Sequence, residues 1–198
     1  MRAADFAKAL HSKFDASRRD GHKTKTAGAW TRHVFPLLRE IAEEHRLWWA
    51  GRGMGDLSPR YGETREYLWD FTMYEWVAGR RPVNTWNLPC VVIEHENAHD
   101  RGAFRLDHWK TLFSHAQLRV AVGYVGARAE AKRQDWVDDI NVAARLGANA
   151  WHFPDGTEDL IALGYYGMTK GTGNYLFWRR SHGETQWTPL AVPAVQVE

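Results

Sequence analysis

The sequence predicts an α/β domain with a mixed β-sheet. Two observations predict this class: short runs rich in β-branched and aromatic residues alternate with amphipathic helical patterns, and some neighbouring runs follow one another directly while others are separated by a helix. A chain of 198 residues is long enough for one sizeable core. We therefore expect a single domain over residues 1–198.

The first predicted elements are two helices joined by a polar loop. Apolar residues at helical spacing predict one helix over residues 3–17 and another over residues 30–46. Pro36 lies inside the second pattern and predicts either a kink or a helix that begins near Phe35. The loop, residues 18–28, is either a phosphate contact or a solvated linker. Its cations are Arg18, Arg19, Lys23 and Lys25.

Three strands, a helix and a fourth strand follow. Residues 47–51 predict a short strand, and the aromatic run over residues 66–76 predicts a second one that places Asp70 and Thr72 on the same face. The β-branched run CVVIEHE, residues 90–96, predicts a buried third strand. A helix is predicted over residues 107–117 and a strand over residues 118–126.

The last third of the chain predicts a helix and a hairpin. Helical spacing covers residues 129–147, and Gly147 is placed to end that helix. Two strands, residues 158–167 and 174–180, surround the glycine-rich turn MTKGTG. The tail after Pro189 is predicted to fray.

Composition limits the classes of function. The net charge of +2 gives no global basic field, the single cysteine excludes an internal disulfide, and no apolar run reaches the roughly 18 residues of a membrane helix. We expect a soluble, cytoplasmic protein with no membrane partner. Eleven Trp residues are many for this length. Most should pack in the core or at its edges, but exposed ones suit stacking on bases.

Three acids form the candidate catalytic site. Asp70 interrupts an apolar strand, and Glu94 and Glu96 lie two apart and hence on one strand face. A charge in a buried strand is costly unless it is paired or metal-bound. Carboxylates that converge from neighbouring strands suit a Mg²⁺ site for phosphodiester chemistry. The alternative is that the glutamates form salt bridges with Arg101 or Arg105.

The run VVIEHEN, the helix that contains WKTL and the strand LRVAVGYV resemble the central strand, crossover helix and next strand of the PD-(D/E)xK superfamily. The resemblance covers roughly residues 30–126 and implies a restriction-endonuclease-like core. It also implies that Asp70 and Glu94 bind Mg²⁺ (or Mn²⁺), that the substrate is nucleic acid, DNA first, and that the chain pairs as a homodimer. Residues 1–28 and 127–198 would then elaborate this nuclease-like core.

The sequence departs from the family at Glu96, where a lysine is usual. Some restriction endonucleases of the superfamily carry Glu there, and Glu96 would then act as a base or bind a second metal. Lys110 is a candidate replacement cation, with a solvent-facing lysine as the alternative. Glu40 and Glu44 are candidates for a further acidic residue of the site; the alternative is that they are only solvent-facing side chains of their helix. Further candidate phosphate contacts are Arg60, Arg65, Arg179 and Arg180.

Two alternatives to a nuclease stay open. The missing lysine and the low net charge also suit a catalytically inactive module that binds nucleic acid or a protein. Separately, residues 95–99 read HENAH and satisfy the H-E-x-x-H motif of zinc metallopeptidases, in which His95 and His99 would bind zinc from one helix face. Against zinc, the preceding β-branched run predicts a strand, and Arg105 stands where a third ligand would be. Two more histidines, His108 and His115, follow nearby.

Overall fold

A seven-stranded sheet organises the chain and carries helices on both of its faces. The computed structural model describes residues 1–19, 27–51, 69–75, 88–96, 100–125, 130–147, 155–165 and 175–192. Within them the helices are α1 (Ala3–Arg19), α2 (Ala27–Glu44), α3 (Arg101–Thr111) and α4 (Glu130–Gly147). The strands are β1 (Trp48–Gly51), β2 (Phe71–Tyr74), β3 (Val91–His95), β4 (Leu118–Val125), β5 (Glu158–Tyr165), β6 (Leu176–Ser181) and β7 (Thr188–Leu190).

The strands lie in the sheet in the order in which they occur in the chain. The pairs β3/β4 and β4/β5 are parallel, and the other neighbours are antiparallel. Parallel neighbours need a long crossover, which α3 and α4 provide, whereas antiparallel neighbours can be joined by turns. The predicted α/β class with a mixed sheet is confirmed, and so is the antiparallel pairing of the last two predicted strands.

Strand alternation sends side chains to two separate cores. Ile93 and its alternate neighbours face α1 and α2, whose Phe6 and Leu38 are fully buried. On the opposite face, Ala121 and Ile161 pack against α3 and α4. Because Glu94 follows Ile93, its side chain belongs to the α3 face. None of the helices in the described ranges is long and apolar enough to cross a membrane.

The crossover helix α3 begins six residues before its predicted start. Asp100 is its N-cap, and the Asp100 carboxylate accepts a hydrogen bond of 2.7 Å from the Ala103 N–H. The helix ends at Thr111, so the apolar residues Phe113 and Ala116 lie beyond it. The predicted helix bounds, residues 107–117, were wrong. The apolar spacing continues past the end of the helix, and Arg101 and Gly102 give no apolar signal at its beginning.

Several other predicted boundaries also change. Arg18 and Arg19 end α1 and residues 27–28 begin α2, so the predicted basic loop shortens; its Lys23 and Lys25 lie outside the described residues. Pro36 is inside α2, which excludes a helix start near Phe35. The second strand covers residues 71–74 rather than 66–76, of which 66–68 and 76 are not described. Residues 188–190 form β7, so Leu190 pairs with Phe177, and residues 193–198 of the tail that was predicted to fray lie outside the described residues.

Close contact between β4 and α3 depends on Gly123. A Cβ atom at this position would lie 2.5 Å from Cδ2 and 2.8 Å from Cε2 of Phe104, which is buried. We expect Gly123→Ala to lower the free energy of unfolding by about 1–3 kcal/mol, because the ring or the whole helix must move. Urea denaturation measures this loss.

The control for Gly123→Ala is Phe104→Leu, which replaces the ring with a smaller side chain. The double variant should lose less stability than the sum of the losses in the two single variants, since the new methyl group occupies space that the ring has left. A Gly123→Ala protein as stable as the wild type would show that α3 does not depend on this close approach.

Candidate active site

Asp70 and Glu94 meet where β2 and β3 run side by side. The antiparallel register pairs Phe71 with Ile93, which brings the preceding Asp70 next to the following Glu94. The carboxylate Oδ2 of Asp70 accepts a hydrogen bond of 3.0 Å from the His95 N–H. The end of β3 therefore orients Asp70, and two of the three predicted site residues come together.

Glu94 is a buried carboxyl group with a strongly altered acidity. Its residue is 2% exposed, and its Oε1 atom has no hydrogen-bond partner among the described residues. Burial raises the pKa of Glu94 to about 8, and the negative charge of Asp70 acts in the same direction. Lys110 opposes these effects. Glu94 thus holds a proton at neutral pH unless a cation takes its place.

Helix α3 brings a cation and a third acid to this pair. Lys110 Nζ lies 3.6 Å from Glu94 Oε2 and 2.5 Å from Asp107 Oδ1. Partial burial acts against the charge of Lys110, but the hydrogen bond to Asp107 and the negative charge of Glu94 outweigh it and raise the pKa of Lys110. Asp107 and Lys110 are three residues apart and share a helix face. Asp107 was not predicted as a site residue from the sequence, although this spacing was a signal for it.

Glu96 lies one residue beyond β3. Its N–H donates a hydrogen bond of 2.9 Å to the Val122 carbonyl, which extends the parallel pairing with β4. Alternation places its half-buried side chain on the same face as Glu94. The third predicted catalytic residue is therefore on the expected side of the sheet, at the strand end.

His95 faces the opposite core. Its Nε2 atom is hydrogen-bonded at 2.8 Å to the Tyr124 hydroxyl, which also pairs with the Tyr175 hydroxyl. Burial lowers the pKa of His95 to about 3, so the ring is neutral. A zinc site of the H-E-x-x-H type needs His95 and His99 on one helix. His95 instead belongs to β3 and faces away from Glu94, and His99 lies outside the described residues.

The other two histidines do not join His95. His108 is buried in α3, on the other side of the sheet, and packs edge-on against Trp187 with ring centroids 5.5 Å apart. Burial lowers the pKa of His108 to about 4. His115 is exposed after α3.

The candidate phosphate contacts on β6 are already in ion pairs. Arg180 Nη2 lies 2.5 Å from Oδ2 of buried Asp159, and Arg119 Nε lies 2.6 Å from Oδ1 of the same carboxylate. Arg179 lies 3.8 Å from Glu158. Neither arginine is thus a free cation for phosphate, and the interpretation of Arg179 and Arg180 as phosphate contacts is not supported by their surroundings. Arg60 and Arg65 lie outside the described residues.

The remaining charged candidates also have partners away from Glu94. Lys13 lies 3.1 Å from Glu40 and 2.6 Å from Glu44, which joins α1 to α2 on the far face of the sheet. Arg101 and Arg105 lie 3.2 Å and 3.8 Å from Asp139 of α4. The predicted alternative of a Glu94 salt bridge to either arginine is replaced by the contact with Lys110.

The donor atoms fit a hard divalent cation such as Mg²⁺. Asp70 and Glu94 offer carboxylate oxygens, and the Oε1 atom of Glu94 is buried without a partner among the described residues. Those residues contain no group of three or more His, Cys, Asp or Glu side chains placed to hold a metal ion. Mg²⁺ is usually held by one or two carboxylates, with water and substrate phosphate completing its shell. Two carboxylates are therefore sufficient.

Comparison of the chain with protein-family models, with curated proteins and with solved structures found no match.

Proposed function

We propose that this chain is a metal-dependent nuclease that hydrolyses phosphodiester bonds in DNA, with Mg²⁺ or Mn²⁺ held by Asp70 and Glu94. The observation that carries the proposal is the meeting of these two carboxyls with the Lys110 ammonium, at 3.6 Å from Glu94. The parallel crossover β3–α3–β4 supports a restriction-endonuclease-like core. The site lies on the α3 face of that crossover.

Each residue has a distinct role in the proposed reaction. Asp70 and Glu94 would hold the ion, which would supply an activated water and stabilise developing negative charge. Asp70 is held in position by the His95 N–H, and Lys110 by Asp107. Lys110 would donate to a phosphate oxygen and so replace the lysine that is missing at Glu96. Glu96 would accept the proton of the attacking water.

The test is a cleavage assay with Mg²⁺ or Mn²⁺ on DNA and RNA substrates, in single-stranded and duplex form. Asp70→Asn and Glu94→Gln keep side-chain shape and remove charge, and each should lower the rate by at least about 100-fold. Asp138→Asn is the control, because Asp138 is exposed on α4. No cleavage of any substrate by the wild type would reject the nuclease, and unchanged rates in both variants would reject the site.

A catalytically inactive nucleic-acid-binding module is the second candidate. It is favoured by the pairing of Lys110 with Asp107 and by the proton on Glu94, which together balance these acids without a metal. Binding of DNA that is equally tight in EDTA and in Mg²⁺, unchanged by Glu94→Gln and without cleavage, would support the module over the enzyme.

A further inference from the structure

Helix α3 and the turn that follows it expose an apolar stripe to solvent. The stripe consists of Leu106, Trp109 and Phe113, which are 53%, 49% and 42% exposed. Only five large hydrophobic side chains in the described residues are exposed, so three of them on one short stretch form a concentration. We call these three residues the α3 stripe.

The α3 stripe adjoins the candidate active site. Leu106 precedes Lys110 by four residues, so the two lie on the same side of the helix. Phe113 lies in the turn after the helix, where its N–H donates a 3.2 Å hydrogen bond to the Lys110 carbonyl. The Trp69 indole N–H donates a 3.3 Å hydrogen bond to the Lys110 carbonyl, which places the residue before Asp70 against the same turn. The stripe and the candidate active site therefore meet at the Lys110 turn.

Positive charge borders the α3 stripe on its other side. Arg105 precedes Trp109 by four residues, and Arg101 lies one turn earlier; their side chains are 56% and 53% exposed. The two guanidinium groups share the single carboxylate of Asp139, which leaves a net positive charge. Lys110 is the cation on the side of the active site. Exposed aromatic rings between cations are the arrangement that binds single-stranded nucleic acid, with bases on the rings and phosphates on the cations.

We infer that the α3 stripe binds unpaired nucleotides of single-stranded DNA next to the phosphodiester bond that is cleaved. The inference rests on the proposed function and names its substrate class. In a duplex the base faces are already stacked on one another, so only an unpaired strand can use these rings. The Trp109 and Phe113 ring centroids are 4.4 Å apart with an angle of 80° between the ring planes. The two rings thus contact each other edge to face, and a base would stack on a ring face that this contact leaves open.

Binding is measured in EDTA, where no cleavage occurs, by fluorescence anisotropy of a labelled oligothymidine and of a blunt duplex of equal length. Trp109→Ala should weaken binding of the single strand by about 5- to 150-fold and leave duplex binding unchanged. Trp109→Phe should keep most of the affinity, because the ring remains. Leu88→Ala is the matched control, since Leu88 is 68% exposed but lies outside the stripe.

Unchanged single-strand affinity in Trp109→Ala, or equal loss for both DNA forms, overturns the inference. So does a Trp109→Ala protein that differs from the wild type only in its sedimentation, because the stripe would then join two copies of the chain. Parallel cleavage assays separate the two proposals. Binding of single strands that depends on Trp109, without cleavage, keeps the stripe and rejects the nuclease; cleavage of both DNA forms that ignores Trp109 rejects the stripe alone.

Discussion

Replacing Lys110 with Met is expected to lower the rate of Mg²⁺-dependent DNA cleavage by about 10²- to 10³-fold without unfolding the protein. Lys110 Nζ lies 3.6 Å from Glu94 Oε2. In the proposed reaction its charge would therefore face the phosphate, where negative charge develops. Met retains the length of the side chain and removes the ammonium. The loss should fall on kcat, because the interaction strengthens in the transition state.

Lys13→Met is the matched control for Lys110→Met. Lys13 also joins two carboxylates, at 3.1 Å and 2.6 Å, but on the opposite face of the sheet, so its removal deletes the same kind of interaction away from the site. Its cleavage rate should equal that of the wild type. Lys110→Arg should recover part of the rate, since the positive charge returns. If Lys110→Met cleaved DNA at the wild-type rate, the Lys110 ammonium would have no role in the mechanism. No cation would then replace the lysine that is missing at Glu96.

Whether Lys110 faces solvent or the acids could not be decided from the sequence. Both alternatives fit the same helical spacing, and the choice depends on how α3 lies over β3. That orientation is set by distant contacts, such as the approach of Phe104 to Gly123 on β4. The N-cap Asp100 was a readable signal for the start of the helix, whereas its packing against the sheet has no local signature.

Asp70 and Glu94 were predictable because strand alternation is a local property. A carboxylate within an apolar run, and another at a position that faces the same side, indicate a common site before any contact is known. The antiparallel register that makes them neighbours is a long-range property, and so is the pairing of Asp159 with Arg119 and Arg180. The register of β5 with β6 sets Arg180 opposite Asp159. This ion pair could not be seen in the sequence, so Arg180 was predicted as a phosphate contact.

Relative to Glu94→Gln, the metal-free wild type is expected to lose about 1 kcal/mol of unfolding free energy per pH unit as the pH rises from about 6.5 to 8. Glu94 has a pKa of about 8 in the folded chain and an ordinary value of 4.5. Between these values the folded state keeps a proton that the unfolded chain has released. Its stabilising contribution is complete below pH 4.5 and is lost as the pH rises through 8.

The buried histidines set the lower limit of this window. His95 and His108 have pKa values of about 3 and 4, lowered from 6.5, so their effect is opposite: they destabilise the folded protein as the pH falls below 6.5. At pH 6.5 the unfolded chain still holds about half a proton on each of these histidines, so their effect fades only by about pH 7.5, and it is removed by comparing the wild type with Glu94→Gln, which has the same histidines. Chemical denaturation between pH 6.5 and 8 should show the stability of the wild type falling relative to that of Glu94→Gln. Parallel slopes in the two proteins would contradict the buried, protonated carboxyl.

Mg²⁺ binding at the proposed site should cancel most of this pH dependence. A metal ion binds the ionised carboxylate, so it must displace the proton of Glu94. Two units below a pKa of about 8, only about 1% of Glu94 is ionised, and the apparent affinity for Mg²⁺ at pH 6 should be about 50-fold weaker than at pH 8. Mg²⁺ at 100 times its Kd at pH 8 would add about 2.7 kcal/mol of stability. Thermal denaturation with and without the ion measures the difference. Equal stabilisation at both pH values, or in Glu94→Gln, would show that the ion binds elsewhere, while an effect confined to the ionised wild type would link the acidity of Glu94 to its role as a ligand.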